Sequence, residues 1–166
     1  GIKQIILKIL HILALDIGTS SLKAGLFDQD YSLILTDKED YTYDAHGMDV
    51  QMDPEKIWKA FLSVTRKLER YSEKIELVVQ CVVSPSLIPM DETGSPLYPS
   101  IIHWDRRSVK QARKALSLIG KEKFLALAGN IPYPGGISLT SLLWIKEKEP
   151  EVFRKAFKFG HMNTFF

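Results

Sequence analysis

The sequence has one cysteine, little net charge and no long uninterrupted apolar run. With Cys81 alone, an intrachain disulfide is excluded, and the composition fits a reducing cytosol, so we expect a cytoplasmic protein. The formal net charge of +2 comes from interleaved acidic and basic residues. It therefore indicates no binding to nucleic acid or to an anionic membrane. Cys81 lies within an apolar run, where a lone thiol more often packs than reacts.

The N-terminal stretch is rich in Ile and Leu, but polar residues interrupt it at Lys3, Gln4, Lys8 and His11. It is too short and too often broken for a membrane-spanning helix, and it lacks the small-residue cleavage site of a signal peptide. We take residues 1–11 as an N-terminal extension. Residues 12–166 then form one domain, or a part of one, and 45% apolar residues are enough to build a core.

The segment from residue 12 to residue 28 contains two apolar runs joined by a polar turn, Gly18, Thr19, Ser20 and Ser21. Strand-length runs around such a turn predict a β-hairpin, in which Gly18 allows the turn a positive φ and lets a ligand approach the backbone. Hydroxyls and successive N–H groups of a tight turn can bind an anion, to which Lys23 adds a cation and Asp16 a carboxylate suited to Mg²⁺. By themselves these residues fit a phosphate site and an ordinary solvated hairpin equally well.

Strand and helix patterns alternate after the hairpin. A strand over residues 32–36 completes an antiparallel meander, and Asp53 followed by Pro54 predicts a helix that ends near Tyr71. The β-branched run 75–83 predicts a strand that is covered on both faces. Ser84 and Pro85 end that strand, and ligands of open α/β sheets bind at the carboxyl ends of strands.

The second half of the chain predicts mainly helices. A turn at residues 91–94 and a short strand at 100–104 precede them. The Ser-x-x-Gln spacing at Ser108 predicts a capping box and a helix start. Further helices are predicted over 122–128, 138–148 and from Pro150, with a loop at 129–136 that either lines a site or simply connects. Residues 161–166 predict the start of a strand.

Five segments, in this order, resemble the N-terminal domain of the FGGY carbohydrate kinases. They are Asp16 to Lys23, similar to the family's first phosphate motif; Asp53-Pro54-Glu55 with Trp58; Asp91 to Gly94 with Pro96-Leu97; Ile101 to Arg107; and Ser138 to Phe157 with Trp144, Pro150 and Glu151. The resemblance covers most of residues 12–166. It implies an α/β, ribonuclease H-like (actin-like ATPase) domain, with a mixed sheet that contains an antiparallel three-strand meander and with flanking helices.

The resemblance also implies ATP-dependent phosphorylation of a sugar or polyol hydroxyl, with ATP and Mg²⁺ as cofactors. Asp16 would lie by Mg²⁺. The residues that would face the ATP phosphates are Gly18, Thr19, Ser20, Ser21 and Lys23. The residues that would approach the substrate are Ser84, Pro85, His103, Asp105 and Arg107, and for the last two a structural role is equally open. Phosphoryl transfer depends on positioning and charge neutralisation, which these groups can supply.

The sequence departs from the family pattern at several positions. His103 stands where the family usually has tryptophan, and Gln51 stands where it has glutamate. Xylulokinases usually carry Gln-Met-His where this chain has residues 83–85, which argues against xylulose as the substrate. In the family the catalytic base, an aspartate, and the domain that holds adenine lie beyond the position of Phe166. We therefore assign no catalytic residue here and expect residues 12–166 to be an incomplete kinase domain without activity of its own.

Two other functions remain open. A non-catalytic sugar- or nucleotide-binding module of actin-like fold would bind a sugar without turnover. Another actin-like ATPase, such as a chaperone or filament protein, would lack sugar affinity and would leave four of the five segments unexplained. If a partner domain is missing, an exposed apolar face would favour self-association, for example as a homodimer.

Overall fold

The computed structural model describes residues 10–166, so the predicted extension lies outside the described residues except for its last two. In chain order the elements are β1 (His11–Ile17), β2 (Ser21–Phe27), β3 (Leu33–Asp40), β4 (Asp44–His46), β5 (Asp49–Met52), α1 (Pro54–Arg66), a 3₁₀ helix (Glu69–Lys74), β6 (Ile75–Val82), β7 (Ser86–Met90), β8 (Ser100–Ile102), α2 (Val109–Ile119), α3 (Lys121–Ala128), α4 (Ser138–Lys148), α5 (Pro150–Lys155), β9 (Lys158–Gly160) and α6 (Met162–Phe165).

The chain divides into two compact units. Among the described residues, unit 1 comprises residues 10–41 together with 57–81, and unit 2 comprises residues 42–56 together with 82–166. In the part of the chain that the structure describes, no helix is both long and apolar enough to cross a membrane.

Unit 1 contains a four-stranded sheet with the strand order β3-β2-β1-β6. β1 and β2 pair antiparallel, as do β2 and β3, which confirms the predicted hairpin and meander. β3 extends to Asp40, past the predicted end at residue 36. Along β1 every second side chain is buried, at Leu13, Leu15 and Ile17, whereas Asp16 between them is exposed. This alternation places the core on one face of the hairpin and the charged residues on the other.

α1 begins where the sequence predicts. The N–H of Glu55 donates to the Asp53 carboxylate at 2.9 Å, so Asp53 caps the helix. The helix buries its apolar stripe, which includes Ile57 and Val64, and it ends at Arg66 instead of near Tyr71. Two side-chain contacts tie α1 and its end to β3: Ser63 Oγ donates to Glu39 at 3.0 Å, and Lys67 Nζ donates to Asp37 at 3.0 Å.

β6 is not covered on both faces, which corrects the prediction for this strand. Its apolar residues Leu77, Val78 and Val79 are exposed, and so is Cys81, which was predicted to be a packed thiol. β6 is the last strand in the order of its sheet, next to β1. The apolar run is a correct signal for a strand, but whether a strand is covered depends on which other elements pack on it, and the described residues provide no such cover.

Unit 2 contains a five-stranded sheet with the order β4-β5-β8-β7-β9, in which neighbouring strands pair antiparallel. Leu87 of β7, Ile101 of β8 and Ile145 of α4 form its buried apolar cluster. The sequence predicts β8 and the turn at residues 91–94 but not the sheet as a whole, because strands of three to five residues are too short to show an alternating pattern.

The capping box predicted at Ser108 does not form, although α2 does begin there. Ser108 Oγ donates to Thr140 Oγ1 at 3.0 Å, and Gln111 Nε2 donates to Glu147 at 2.7 Å. Both polar side chains therefore join α2 to α4, and the first turn of α2 has no side-chain cap. The sequence pattern could not show that the serine hydroxyl would instead donate a hydrogen bond to a residue more than thirty positions away.

The strand predicted to start at residues 161–166 is wrong, because Met162–Phe165 form the short helix α6. The N–H of His161 donates to Thr164 Oγ1 at 3.3 Å, and the N–H of Met162 donates to Ser86 Oγ at 3.0 Å. These contacts close a helical turn against the start of β7. The apolar ending of the chain alone could not distinguish this turn from a strand.

Candidate functional site

The turn between β1 and β2 carries the residues that were predicted to bind phosphate. The N–H of Gly18 donates to Ser21 O at 3.0 Å and closes the turn. The turn does not use the positive φ that glycine allows, because Gly18 lies outside the left-handed region. A side chain is disfavoured there for a different reason: a Cβ atom at position 18 would lie 3.3 Å from Ser21 O.

The three hydroxyl residues of this turn differ in exposure. Ser20 is exposed and Thr19 is half-buried, and neither side chain makes a hydrogen bond with any described residue. Ser21 is only 6% exposed because it begins β2. The hydroxyl groups of Thr19 and Ser20 are therefore the ones available to a ligand.

Asp16 and Lys23 face each other directly across the hairpin. They are register partners in the antiparallel pair, and Lys23 Nζ donates to Asp16 Oδ2 at 3.1 Å. Their side chains are 54% and 56% exposed, respectively, so both charges are open to a ligand. Among residues 10–166 no group of three or more His, Cys, Asp or Glu side chains could hold a metal ion. A lone exposed carboxylate nevertheless fits Mg²⁺, which proteins bind through one or two carboxylates while phosphates and water supply the other ligands.

Tyr41 supports the turn from the end of β3. Its hydroxyl donates to Gly18 O at 2.8 Å, and its N–H donates to Ser20 O at 3.0 Å. Burial, and then the negative charge of Asp16, raise the pKa of the Tyr41 phenol well above its usual value, so it remains a protonated donor. The sequence contains no signal for a contact between Tyr41 and a turn that lies two strands earlier.

Ser84, Pro85 and His103 lie at the same end of two paired strands in unit 2. β7 and β8 are antiparallel with Ser86 opposite Ile102, so the residues just before β7 and just after β8 are neighbours. The Nδ1 atom of His103 is buried and has no hydrogen-bond partner among the described residues. Burial, together with the nearby charge of Arg106, lowers the pKa of His103, which favours the neutral imidazole.

Asp105 and Arg107 form a buried ion pair. Arg107 Nε lies 2.7 Å from Asp105 Oδ2, and the two side chains are 2% and 0% exposed. The Asp105 carboxylate also accepts hydrogen bonds from the N–H of Val50 at 2.7 Å and from the N–H of Arg107 at 2.9 Å. The remaining guanidinium nitrogens donate to Gln51 at 2.8 Å and to Tyr98 at 3.3 Å. These contacts favour the structural role for the pair, and direct sugar binding by either residue stays a prediction.

Arg106 joins the loop at residues 129–136 to the segment that contains His103. Its Nη1 atom donates to His103 O and Asp105 O, each at 2.8 Å, and to Pro134 O at 3.0 Å. At Gly135, where φ is +70°, a Cβ atom would collide with Asp105 O. Of the two predicted possibilities for this loop, the contacts favour the one in which it lies beside the candidate substrate residues.

His161 also contacts the start of β7, from the side on which β9 pairs with that strand. The N–H of Ser86 donates to His161 Nδ1 at 3.3 Å, so the ring proton is on Nε2, which lies 3.1 Å from Ser138 Oγ. Burial lowers the pKa of His161. The sequence gives no signal for this contact, because residues 86, 138 and 161 are far apart in the chain.

Acidification should therefore destabilise the protein. Because the pKa of His161 is lower in the folded chain than its ordinary value of 6.5, the unfolded chain binds more protons, and the free energy of unfolding decreases as the pH falls below 6.5. His103 contributes with the same sign. Urea titrations at pH 7.5 and pH 5.5 measure the change, and His161→Gln should reduce it.

The exposed His46 provides the matched control for this pH dependence. His46→Gln measures the general effect of replacing a histidine by glutamine, and the pH dependence of His161→Gln is compared with it. If His161→Gln and the unmodified chain lose the same amount of stability between the two pH values, His161 does not titrate as proposed.

Three antiparallel strands are followed by a helix and then by a strand that lies beside β1. This is the ribonuclease H-like arrangement of actin-like ATPase domains. Residues 11–166 match the family described as "FGGY family of carbohydrate kinases, N-terminal domain". The chain belongs to this family.

Known relatives agree with this assignment. A xylulose kinase from Lactococcus lactis is 28% identical over 153 residues, which covers 89% of this chain and 30% of the relative. The crystal structure of a gluconate kinase from Lactobacillus acidophilus superposes with a TM-score of 0.84 at 22% identity, covering 95% of this chain and 32% of that one. A Plasmodium falciparum glycerol kinase solved with ADP gives a TM-score of 0.81 at 18% identity, with 95% and 33% coverage. The chain thus spans about a third of the length of these relatives.

Proposed function

We propose that the chain is the N-terminal part of an ATP-dependent kinase that phosphorylates a hydroxyl of a sugar or polyol. The observation that carries this proposal is the exposed Asp16–Lys23 pair on the same hairpin as the hydroxyl groups of Thr19 and Ser20, which form no hydrogen bond with any described residue. Phosphoryl transfer requires positioned donors and charges that neutralise phosphate oxygens. A cation, a carboxylate and two free hydroxyls on one hairpin meet that requirement.

In this proposal each residue of the hairpin has a separate role. Asp16 holds Mg²⁺, which neutralises charge on the phosphates when it is bound. Lys23 and the turn residues Gly18 to Ser21 contact the phosphate oxygens, and the turn keeps its shape because Tyr41 binds Gly18 O and Ser20 O. The Plasmodium falciparum glycerol kinase, which was solved with ADP, supports a nucleotide as the ligand of this fold.

The acceptor alcohol is proposed to bind near Ser84, Pro85 and His103. A neutral His103 has one unprotonated ring nitrogen, which can accept a hydrogen bond from a substrate hydroxyl. The relatives are named for xylulose, gluconate and glycerol, which all carry adjacent hydroxyl groups. This supports a polyol as the substrate. The assay described below distinguishes among the three polyols.

The proton acceptor for the attacking hydroxyl is proposed to lie in chain that follows Phe166, as the family resemblance implies. A positioned base contributes a large rate factor, so the 166 residues alone should give no sugar-dependent ADP formation. Measurable sugar-dependent turnover by these residues would show that the base does not lie downstream.

The test uses the product of the full reading frame, with xylulose, gluconate and glycerol as acceptors. Loss of the Mg²⁺-binding carboxylate in Asp16→Asn should lower kcat/KM by about 10²–10³-fold, the usual effect of removing one group that stabilises transition-state charge. Asp30→Asn is the matched control, because Asp30 is also an exposed aspartate of unit 1 but lies in the next turn. Calorimetric sugar binding without turnover would instead support the non-catalytic module.

A further inference from the structure

The hydroxyl hydrogen of Ser138, the first residue of α4, has no acceptor among the described residues. This follows from the direction of the hydrogen bonds around His161. The N–H of Ser86 donates to His161 Nδ1, so that Nδ1 is unprotonated and the neutral ring carries its hydrogen on Nε2. Nε2 therefore donates to Ser138 Oγ across 3.1 Å. Because Ser138 Oγ is the acceptor in this contact, its own hydrogen points elsewhere.

The helix that Ser138 begins does not use this hydrogen either. α4 has no side-chain cap at its N-terminus, and the carbonyl oxygen of the preceding residue, Ile137, accepts a hydrogen bond from Thr140 Oγ1 at 3.1 Å. A helical serine usually donates to a nearby backbone carbonyl, so its hydroxyl is normally occupied within the helix. Ser138 is half-buried and keeps a donor that a ligand can use.

Ser138 lies at the same end of unit 2 as the candidate acceptor residues. Its histidine partner connects it to Ser86, the first residue of β7, which directly follows residues 84–85. Gly135, three positions before Ser138, lies so close to the segment after β8 that a Cβ atom there would be 2.7 Å from His103 O. Both segments that carry the candidate acceptor residues therefore lie within a few residues of Ser138.

We infer that Ser138 is a further substrate-binding residue and that His161 is its positioning residue. Ser138 Oγ donates to a hydroxyl oxygen of the acceptor polyol, and the contact with His161 Nε2 holds the serine in the orientation that leaves its hydrogen free. Both ring nitrogens of His161 are engaged, so the histidine acts only through the serine.

This role rests on the proposed phosphorylation of a sugar or polyol, and it adds a donor to the acceptor nitrogen that His103 supplies. A hydroxyl group both donates and accepts, so a donor and an acceptor at the same end of the sheet suit a ligand with several hydroxyl groups.

The product of the full reading frame, with xylulose, gluconate and glycerol as acceptors, provides the test. Ser138→Ala should weaken acceptor binding about three- to tenfold, the usual effect of removing one neutral hydrogen bond. The KM for the acceptor should increase by this factor, whereas the KM for ATP should not change. Calorimetric titration of the acceptor without nucleotide should show the same loss of affinity.

Further variants separate a contact with the substrate from a general structural effect. Ser138→Thr keeps the hydroxyl and should bind the acceptor more tightly than Ser138→Ala. His161→Phe should raise the KM for the acceptor, and His161→Gln should restore part of the loss because its amide N–H can replace Nε2–H. Combining Ser138→Ala with His161→Phe should cause no further loss, because the histidine acts through the serine.

Ser117→Ala is the matched control. Ser117 is an exposed serine on α2 whose hydroxyl donates to Lys114 O within its own helix at 2.9 Å, so its replacement should leave both KM values unchanged. Urea titration at pH 7.5 shows that each variant is folded under the assay conditions.

The two readouts distinguish failure of this role from failure of the proposed function. If Ser138→Ala keeps the acceptor KM and the calorimetric affinity, or raises the KM for ATP equally, the role of Ser138 is overturned while the kinase activity stands. If the acceptor binds without turnover, the proposed function is overturned, and the calorimetric comparison still decides the role of Ser138. A protein that neither binds nor phosphorylates any of the three acceptors would overturn both.

Discussion

Replacing Arg107 by methionine is expected to lower the free energy of unfolding by about 3–5 kcal/mol, as removal of one partner from a buried ion pair usually does. The Asp105 carboxylate is 0% exposed and would lose its only cationic partner at hydrogen-bond distance among the described residues. The Gln51 side chain would lose its bond to the guanidinium, and the contact of that group with the Trp144 ring, at 5.0 Å, would also disappear. Urea titration followed by circular dichroism measures the loss.

Arg154→Met provides the control for this experiment. Arg154 pairs with Glu151 on the surface, where both side chains are 67% exposed, so its replacement should change the free energy of unfolding by no more than about 1 kcal/mol. Adding Asp105→Asn to Arg107→Met should restore part of the loss, because the buried charge is then absent. A decrease below about 1 kcal/mol for Arg107→Met would contradict the structural role and return the residue to the candidates for sugar binding.

Gly135→Ala should cost about 3 kcal/mol. Part of this cost, roughly 1–2 kcal/mol, arises because an alanine is disfavoured at a φ of +70°. The remainder arises because the new methyl group would meet Asp105 O and would lie 2.7 Å from His103 O, so that the loop must move from the segment that Arg106 holds.

Gly129→Ala isolates the backbone contribution. Gly129 has a φ of +64°, and a Cβ atom there would meet nothing within 4 Å, so this replacement should cost only about 1–2 kcal/mol. Thermal and urea unfolding of both variants measure the difference between them. Equal losses in the two variants would show that the loop at residues 129–136 does not press against residues 103–106.

Local sequence patterns were sufficient to predict those helices and strands whose side-chain periodicity and end residues lie within one segment. The hairpin of β1 and β2 has two apolar runs around a glycine turn, and α1 has Asp53 and Pro54 at its start and an apolar stripe along one face. In these cases the periodicity of the side chains and the chemistry of the ends lie within one segment, so that they can be read without knowing the partners. The cross-strand pair of Asp16 and Lys23 follows directly from the antiparallel register of that hairpin.

Two of the errors occur where a polar side chain had more than one partner to choose from. Ser108 was expected to cap α2 but binds Thr140, and the region of His161 was expected to form a strand but closes a helical turn against Ser86. Tyr41 and Arg106 were not recognised as supports of the candidate sites, because their partners are backbone carbonyl groups. A carbonyl group is present at every residue, so its use as an acceptor leaves no trace in the sequence.

The sequence by itself determined the family, the order of the main strands and helices, and the set of residues from which the proposed phosphate and sugar sites are drawn. These follow from motif spacing and from apolar periodicity, which are properties of contiguous segments. Only the tertiary structure decided that Arg107 is committed to Asp105 and Gln51, that β6 is exposed, and that His161 contacts Ser86 and Ser138. Those outcomes depend on which distant residues come within a few ångströms of each other, and that is set by packing.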